Sequence, residues 1–487
     1  MTPFSRRRFL AAGITGAALA SRSELALAAP GAPKRTLVLN DASRLNPTPV
    51  ARNAIIRQDD DQRIIAELRG LLKDATADNR AFCVGGARHS QGGQSLPRNG
   101  FAASIATPHV EPDTEKRQYR VRAGTRWRDV VAALDPLGFS VAVMQSNSDF
   151  SVGGTLSVNA HGWPVPYGPF GSTVKSFRML LADGSLATGS HSENAELFGL
   201  VTGGYGLFGI IVDADVEMVE NTLMLPTFTI VAAASLADRF VAAAKEPGVK
   251  MAYGRLSVAR ENFLEEGFVV SYRPASALAE RPPTAQRSKA YSFASRALFR
   301  AQIGSERGKS ARWYAETVLL PRAANRPITR NSILSYPVSV LADTDPRRTD
   351  ILHEYFLPAD RFADFLKACR ELIPVSQDLL NVTLRYVDTD RDAVLAFAPA
   401  PRVAAVMLFN YAATPEADAA MQRMTERLID AVLALGGSFY LPYRLHARAD
   451  QVRSAYPRLE EFLAKKRQYD PQLRFRNLMW DKYFGSV

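Results

Sequence analysis

Apolar and polar residues recur along this chain with two periods, and each period marks an element. Between residues 59 and 74, Ile64, Ile65, Leu68, Leu71 and Leu72 return at helical spacing behind Asp59, Asp60 and Asp61, which predicts an amphipathic helix opened by acidic residues. Ala81 to Val84 is a short apolar run that reads as a buried strand, and Tyr119 to Ala123 reads as another. Trp127, Val130, Val131 and Leu134 then fall back into the helical period. Asp183-Gly184 separates two alternating runs, as the turn of a hairpin would. From Ile210 to Met218 the even positions are apolar while Asp213, Asp215 and Glu217 are charged, the pattern of a strand with one wet face.

Past Leu223 the pattern changes. Phe362, Phe365, Leu366, Cys369 and Leu372 share one face of a helix predicted over Asp360 to Leu372, and a longer helix around Met421 to Leu435 stops on Gly436-Gly437. Asn381 to Val387 and Val403 to Tyr411 read as strands. The fold class expected is α+β, with a small cofactor-type domain of alternating strands, helices and loops followed by an antiparallel sheet covered by helices.

Composition adds limits. The chain has 487 residues, 47% hydrophobic and 22% charged, enough for a sizeable core and for two or three domains or one interleaved pair. Cys83 and Cys369 are too few for a disulfide framework, and both sit in apolar patterns, as buried thiols would. The net charge of +11 comes without a basic stripe interleaved with aromatics, which argues against nucleic acid as a partner. No metal site is read. Residues 280 to 330 are rich in arginine and poor in carboxylates, with Pro282-Pro283 near the start; a solvated arm or irregular connection is expected there.

Residues 1–28 read as an export signal. Ser5-Arg6-Arg7-Arg8-Phe9-Leu10 precedes a Gly/Ala-rich apolar run, and Ala26-Leu27-Ala28 offers small residues for cleavage. The apolar run is too short for a permanent span, so no integral span is expected in the mature chain. Twin arginine before Xaa-Phe-Leu marks the Tat route, which implies a periplasmic or secreted protein.

Two glycine-bounded loops carry the candidate chemistry. Ala81 to Ser95, AFCVGGARHSQGGQS, runs from a strand into Gly85-Gly86 and holds Arg88, His89 and Ser90 before Gly92-Gly93. Ser146 to Trp163, SNSDFSVGGTLSVNAHGW, repeats the ingredients with Gly153-Gly154 and Asn159-Ala160-His161-Gly162. Glycine turns leave backbone N–H groups free to meet phosphate oxygens. Neither loop has the spacing of a Rossmann turn or a P-loop, which suggests another way of holding a dinucleotide.

The pair GGARHSQGG and FSVGGTLSVNAHG resembles the FAD-binding signature of the vanillyl-alcohol oxidase superfamily, with its PCMH-type FAD domain. Sugar-lactone oxidases, alditol oxidases and cytokinin dehydrogenases resemble this sequence in the same places. YRVRAGTRWRD from Tyr119, GGYGLFGIIV from Gly203 and YDPQLRFRN from Tyr469 extend the likeness.

The resemblance implies an FAD-binding PCMH-type domain over residues 48–222, a substrate domain over 223–440, and a C-terminal segment, 441–487, that packs back on the FAD domain through Asp470-Pro471 and Asn477. It implies FAD as cofactor, with His89 bonded covalently to the flavin. No cysteine follows in the second loop, so a single linkage is expected. Gly85, Gly86, Arg88, Ser90, Gly153, Gly154 and Ser157 would line the cofactor, with Ser148 nearby and His161 as a structural contact.

On the substrate side, Arg385, expected to stabilise either the substrate or the flavin's negative charge, lies in a strand whose counterpart in alditol and lactone oxidases carries an acid and an arginine. Here Thr383 stands at the acid position, a departure that weighs against a polyol or aldonolactone substrate. Pro442 to His446 resembles a substrate-side turn, giving Tyr443 and His446 as orienting or acid/base groups. The expected activity is oxidation of a C–OH or C–N bond of a small molecule, with oxygen or another acceptor reoxidising the flavin. Alternatives are a noncovalent FAD dehydrogenase acting on a lipid-linked sugar and a flavin-free binding protein of the same fold.

Overall fold

In the computed structural model, the residues described are 36–275, 284–285, 289–323, 326–338 and 342–485. Contacts knit Leu37–Val487 into one unit. The predicted signal segment 1–28 and Pro282-Pro283 lie outside the described residues.

The first helix spans Asp61–Ala77. Asp60 caps it by accepting from the Arg63 N–H, and the five predicted apolar residues are buried together with Ala75. They pack on a three-stranded parallel sheet of Arg52–Ile56, Phe101–Ile105 and Phe82–Val84. Phe82 also pairs with Phe475, and the Phe82 N–H donates to the Arg474 carbonyl at 2.7 Å. Asn477 donates to the carbonyls of Gln94 and Tyr205, so the chain's end touches the first glycine loop directly.

Among the described residues a second sheet has six strands. Leu186–Ser190, Val174–Leu180, Ile210–Glu220, Gln118–Arg122 and Val110–Asp113 follow in that order, and Phe139–Val141 pairs separately with Ile210–Glu220. The hairpin predicted at Asp183-Gly184 joins two of them, with Gly184 at φ +80°. Asp213 departs from expectation: it is not on a wet face but buried. It accepts from Arg120 at 2.9 Å and from Arg178, which also reaches Asp61, itself paired with Arg122. Three arginines and two carboxylates thus satisfy one another where the alternation alone implied water.

The third sheet forms the floor of the site. Its eight strands run Ile328–Thr329, Leu223–Ala232, Glu266–Pro274, Met251–Leu256, Asp378–Val387, Arg402–Ala412, Arg348–Leu357 and Ser438–Phe439, every pair antiparallel. Helices Ala233–Lys245, Phe362–Leu372 and Pro415–Ala434 cover one face. Strand residues alternate between the two faces. His353 turns to the helix side, where Thr425 meets it, while Leu352 and Glu354 turn to the other. Cys83 and Cys369 are free and buried as expected, and burial pushes the Cys83 thiol up to about 12.

The arginine-rich stretch is the larger correction. Lys289–Arg300 and Glu306–Tyr314 are helices, and the second continues helically through Ala323. Several of its cations turn inward: Arg300 forks onto Asp350, and Arg312 pairs with Glu316 at 2.8 Å and donates to the Leu380 carbonyl, while Arg307, Arg322 and Arg326 stay exposed. The carboxylates that neutralise it come largely from other elements, so the local shortage of acid residues did not mean exposure.

Candidate functional site

The strand Phe82–Val84 ends where Gly85 begins, and the two glycine loops meet one residue later. A Cβ on Gly86 would stand 1.9 Å from Ser151 Oγ, the side chain that caps the short helix Val152–Ser157 by accepting from the Gly154 N–H. A Cβ on Gly153 would stand 2.7 Å from that of Ala123. Only glycine lets these backbones approach so closely. Both loops open onto a cavity of about 1160 Å³, larger than the roughly 300–1,000 Å³ usual for one small ligand.

The cofactor-side residues gather as expected. Gly85, Gly86, Arg88, His89, Ser90, Gly153, Gly154, Ser157 and His161 all line the cavity. Ser148 does not: it is buried, and its backbone bonds Arg128 and Tyr336 while Ser146 and Asn147 face the space instead. Arg88 has a left-handed backbone with φ +53°, a buried Nε without a partner, and Asn53 Oδ1 at 3.3 Å. Burial depresses its guanidinium, so the positive charge is poorly compensated within the chain. The His89 ring stacks on Phe150 with centroids 4.2 Å apart. Burial pushes its pKa down against the opposing pull of Asp149, which keeps the imidazole neutral at pH 7. A cationic, glycine-walled cradle with an orphaned guanidinium nitrogen fits a dinucleotide's diphosphate.

The floor carries the other chemistry. Strand register sets Glu354 opposite Val406, Val406 opposite Thr383 and Thr383 opposite Arg255, so these four form one row across the sheet. Glu354 is 4% exposed. Tyr443 Oη donates to its Oε2 at 2.9 Å, and His161 Nε2 stands 2.5 Å from its Oε1. Burial and the Glu354 charge raise the Tyr443 pKa, so the phenol keeps its proton. Arg385, two residues beyond Thr383, is 7% exposed; it donates to Ser146 Oγ at 2.8 Å and lies 5.2 Å over the Trp163 ring. Burial pushes its pKa down to about 9.

His446 is a correction. It is buried outside the cavity lining, with Nε2 3.1 Å from Asp418, a carboxylate shared with Arg444, and Nδ1 3.4 Å from Thr425. The turn that carries it exposes Tyr443 to the cavity and turns His446 into the packing behind. Sequence reasoning missed Glu354. Its only signal is a charged residue within the mostly apolar second half, Ile351 to Leu357, of the strand Arg348–Leu357.

Residues 63–190 match the family described as FAD binding domain. This chain carries an FAD-binding domain. Its match contains both glycine loops and His89, and the cradle described above supplies the fit, so FAD is the cofactor. An uncharacterized oxidoreductase of the fasciation locus of Rhodococcoides fascians is 32% identical over 157 residues, 32% of this chain and 36% of that protein. L-gulonolactone oxidase of Mus musculus is 27% identical over 165 residues, 34% of this chain and 37% of its own. Cytokinin dehydrogenase 2 of Arabidopsis thaliana is 32% identical over 157 residues, 31% of each. The aligned part thus spans about a third of the length of these curated relatives. No helix of the described residues is long and apolar enough to cross a membrane.

Proposed function

We propose that this protein is an FAD-dependent oxidoreductase that oxidises a C–OH or C–N bond of a small substrate. The observation that carries the reading is one cavity with two unlike ends: a glycine and Arg88 cradle on one side, and a sheet floor bearing Glu354, Tyr443 and Arg385 on the other. The names of the relatives, a lactone oxidase and a cytokinin dehydrogenase, support the reaction type and leave the substrate open.

Bound FAD supplies a two-electron acceptor. Arg88, the glycine backbones and Ser90 hold the cofactor's charged middle, and His89 is proposed as its single covalent anchor. Tyr443 takes the proton of the substrate's hydroxyl or amine as its own proton passes to Glu354, whose other oxygen faces His161. Arg385 orients the substrate from the adjacent position on the floor. Trp163, Tyr253 and Phe268 wall the space and limit water. Oxygen or another acceptor completes the cycle, and residues 1–28 are proposed to direct the chain across a membrane by the Tat route.

The reading is tested by mixing the FAD-loaded protein anaerobically with a panel of alcohols, hydroxy acids, sugars and amines while following bleaching of the flavin band. Bleaching by at least one class, abolished when Glu354 and Tyr443 are both replaced, is expected. A loaded protein that no member reduces would contradict the proposal.

A further inference from the structure

The substrate end of the cavity holds more positive charge than its own carboxylates balance. Arg255, Arg312 and Arg385 line it, with Glu316 and Glu354. Glu316 is 2.8 Å from Arg312 and 3.7 Å from Arg255, and Glu354 is engaged by Tyr443 and His161. Arg312 is further held by the Leu380 carbonyl and Asn381, which leaves it no free edge for a ligand. Arg385 differs. Its partners are Ser146 Oγ, the Leu384 carbonyl at 3.3 Å and the Trp163 face, all of them neutral, and among the described residues no carboxylate lies within ion-pair distance of it. Glu354 attracts it from farther off but is already engaged, and a guanidinium 7% exposed with no direct ion pair is costly to bury. The register adds a second cation on the same side: Arg255 is opposite Thr383, and Arg385 is two residues along that strand, where alternation returns to the same face.

We propose that the substrate carries an oxyanion, a carboxylate in the simplest case, held by Arg385 with Arg255 beside it. The substrate class is then a hydroxy acid or amino acid, with the anion at the arginines and the hydroxyl or amine of the oxidised carbon facing Tyr443. A guanidinium presents parallel N–H donors to both oxygens of such a group. This inference rests on the oxidoreductase reading for its oxidised carbon, and its test does not depend on turnover.

The test is isothermal titration calorimetry of the FAD-loaded protein with benzoate, phenyl phosphate and the neutral isostere benzamide. The aromatic ring of these probes suits walls made by Trp163, Tyr253 and Phe268. Benzoate should bind at least about tenfold more tightly than benzamide, because charge-assisted hydrogen bonds are about twice as strong as neutral ones. Arg385→Gln should weaken benzoate at least about tenfold, the loss expected for one charged hydrogen-bonding group. Arg385→Lys, which keeps the charge without the fork, should fall between. Tight binding of phenyl phosphate over benzoate, lost in the same variant, would sustain the oxyanion and name a phosphate as its source. Three outcomes would overturn the inference: equal affinity for benzamide and benzoate, benzoate affinity unchanged in a folded Arg385→Gln protein, or no heat from either anion. The second would mean that Arg385 serves the flavin alone. A chain that takes up no FAD yet binds benzoate through Arg385 would retain the anion site while removing the oxidoreductase reading.

Discussion

Arg88 meets two demands that two measurements on one substitution separate. Its φ of +53° places a non-glycine residue in the left-handed region, at a cost of about 1–2 kcal/mol. Its guanidinium has an unpartnered buried Nε and a single long contact to Asn53. Nothing among the described residues accounts for the strain or the charge, whereas an FAD diphosphate held there would account for both. Arg88→Gly removes strain and charge together. Relief of about 1–2 kcal/mol is partly offset by about 0.5–1 kcal/mol of added backbone freedom in the unfolded chain. The apo protein should therefore melt at the same temperature or higher. FAD affinity should fall by about 1.5–3 kcal/mol, the worth of a hydrogen bond to a charged group, or roughly 10- to 150-fold in Kd. The assay is titration of apo protein with FAD, read by quenching of flavin fluorescence, in a His89→Ala background so that no covalent bond masks the equilibrium. Calorimetric melting of the same apo samples supplies the control. A Kd within about twofold of the parent's would refute the diphosphate role. A lowered apo melting temperature would refute the strain argument.

Other outcomes follow from the same contacts. Glu354→Gln keeps the shape and removes the charge facing Tyr443 and His161, so flavin reduction by a substrate from the anaerobic panel should slow about 10²- to 10⁴-fold, as for loss of a general base; stopped-flow rates within about threefold of the parent would contradict that role. Asp213→Ala strands Arg178 and Arg120 beside a buried gap and should cost about 3–5 kcal/mol in urea unfolding; less than about 1 kcal/mol would mean that the cluster is effectively solvated. Burial, aided by His446, holds the His353 imidazole at about 3 against an ordinary 6.5. Between those values the unfolded chain binds a proton that the folded chain refuses, so stability rises with pH across that window and is lost as pH falls through it. Urea midpoints measured from pH 7 to 4 should decline, by up to about 1.4 kcal/mol per pH unit from this group, and His353→Gln should flatten the decline; an unchanged slope would assign acid lability elsewhere.

The sequence was legible where a local period decided the structure. The buried faces of Asp61–Ala77, Trp127–Leu134 and Phe362–Leu372 follow from apolar spacing, and the helix Pro415–Ala434 stops before Gly436, which adopts φ +70°. The two glycine loops were legible because close approach at Gly86 and Gly153 requires residues without a side chain. What stayed hidden depends on partners distant in the chain. Asp213 looked solvated because its arginines come from other strands, and Arg300 and Arg312 looked exposed because Asp350 is remote and the site's floor had not been folded beneath them. Glu354 was invisible for the same reason: a carboxylate in a strand acquires meaning only when Tyr443 and His161 converge on it. His446 and Tyr443 sit three residues apart in one turn, and spacing alone cannot say which of them faces the cavity.

The account stands most directly on the cofactor and where it is held. The chain from Ala29, purified and loaded with FAD, should be yellow with one flavin per chain. Acid precipitation should carry the colour into the pellet, and in a His89→Ala protein the flavin should move to the supernatant while the native protein remains yellow. A colourless protein that takes up no added FAD would contradict the account at its centre.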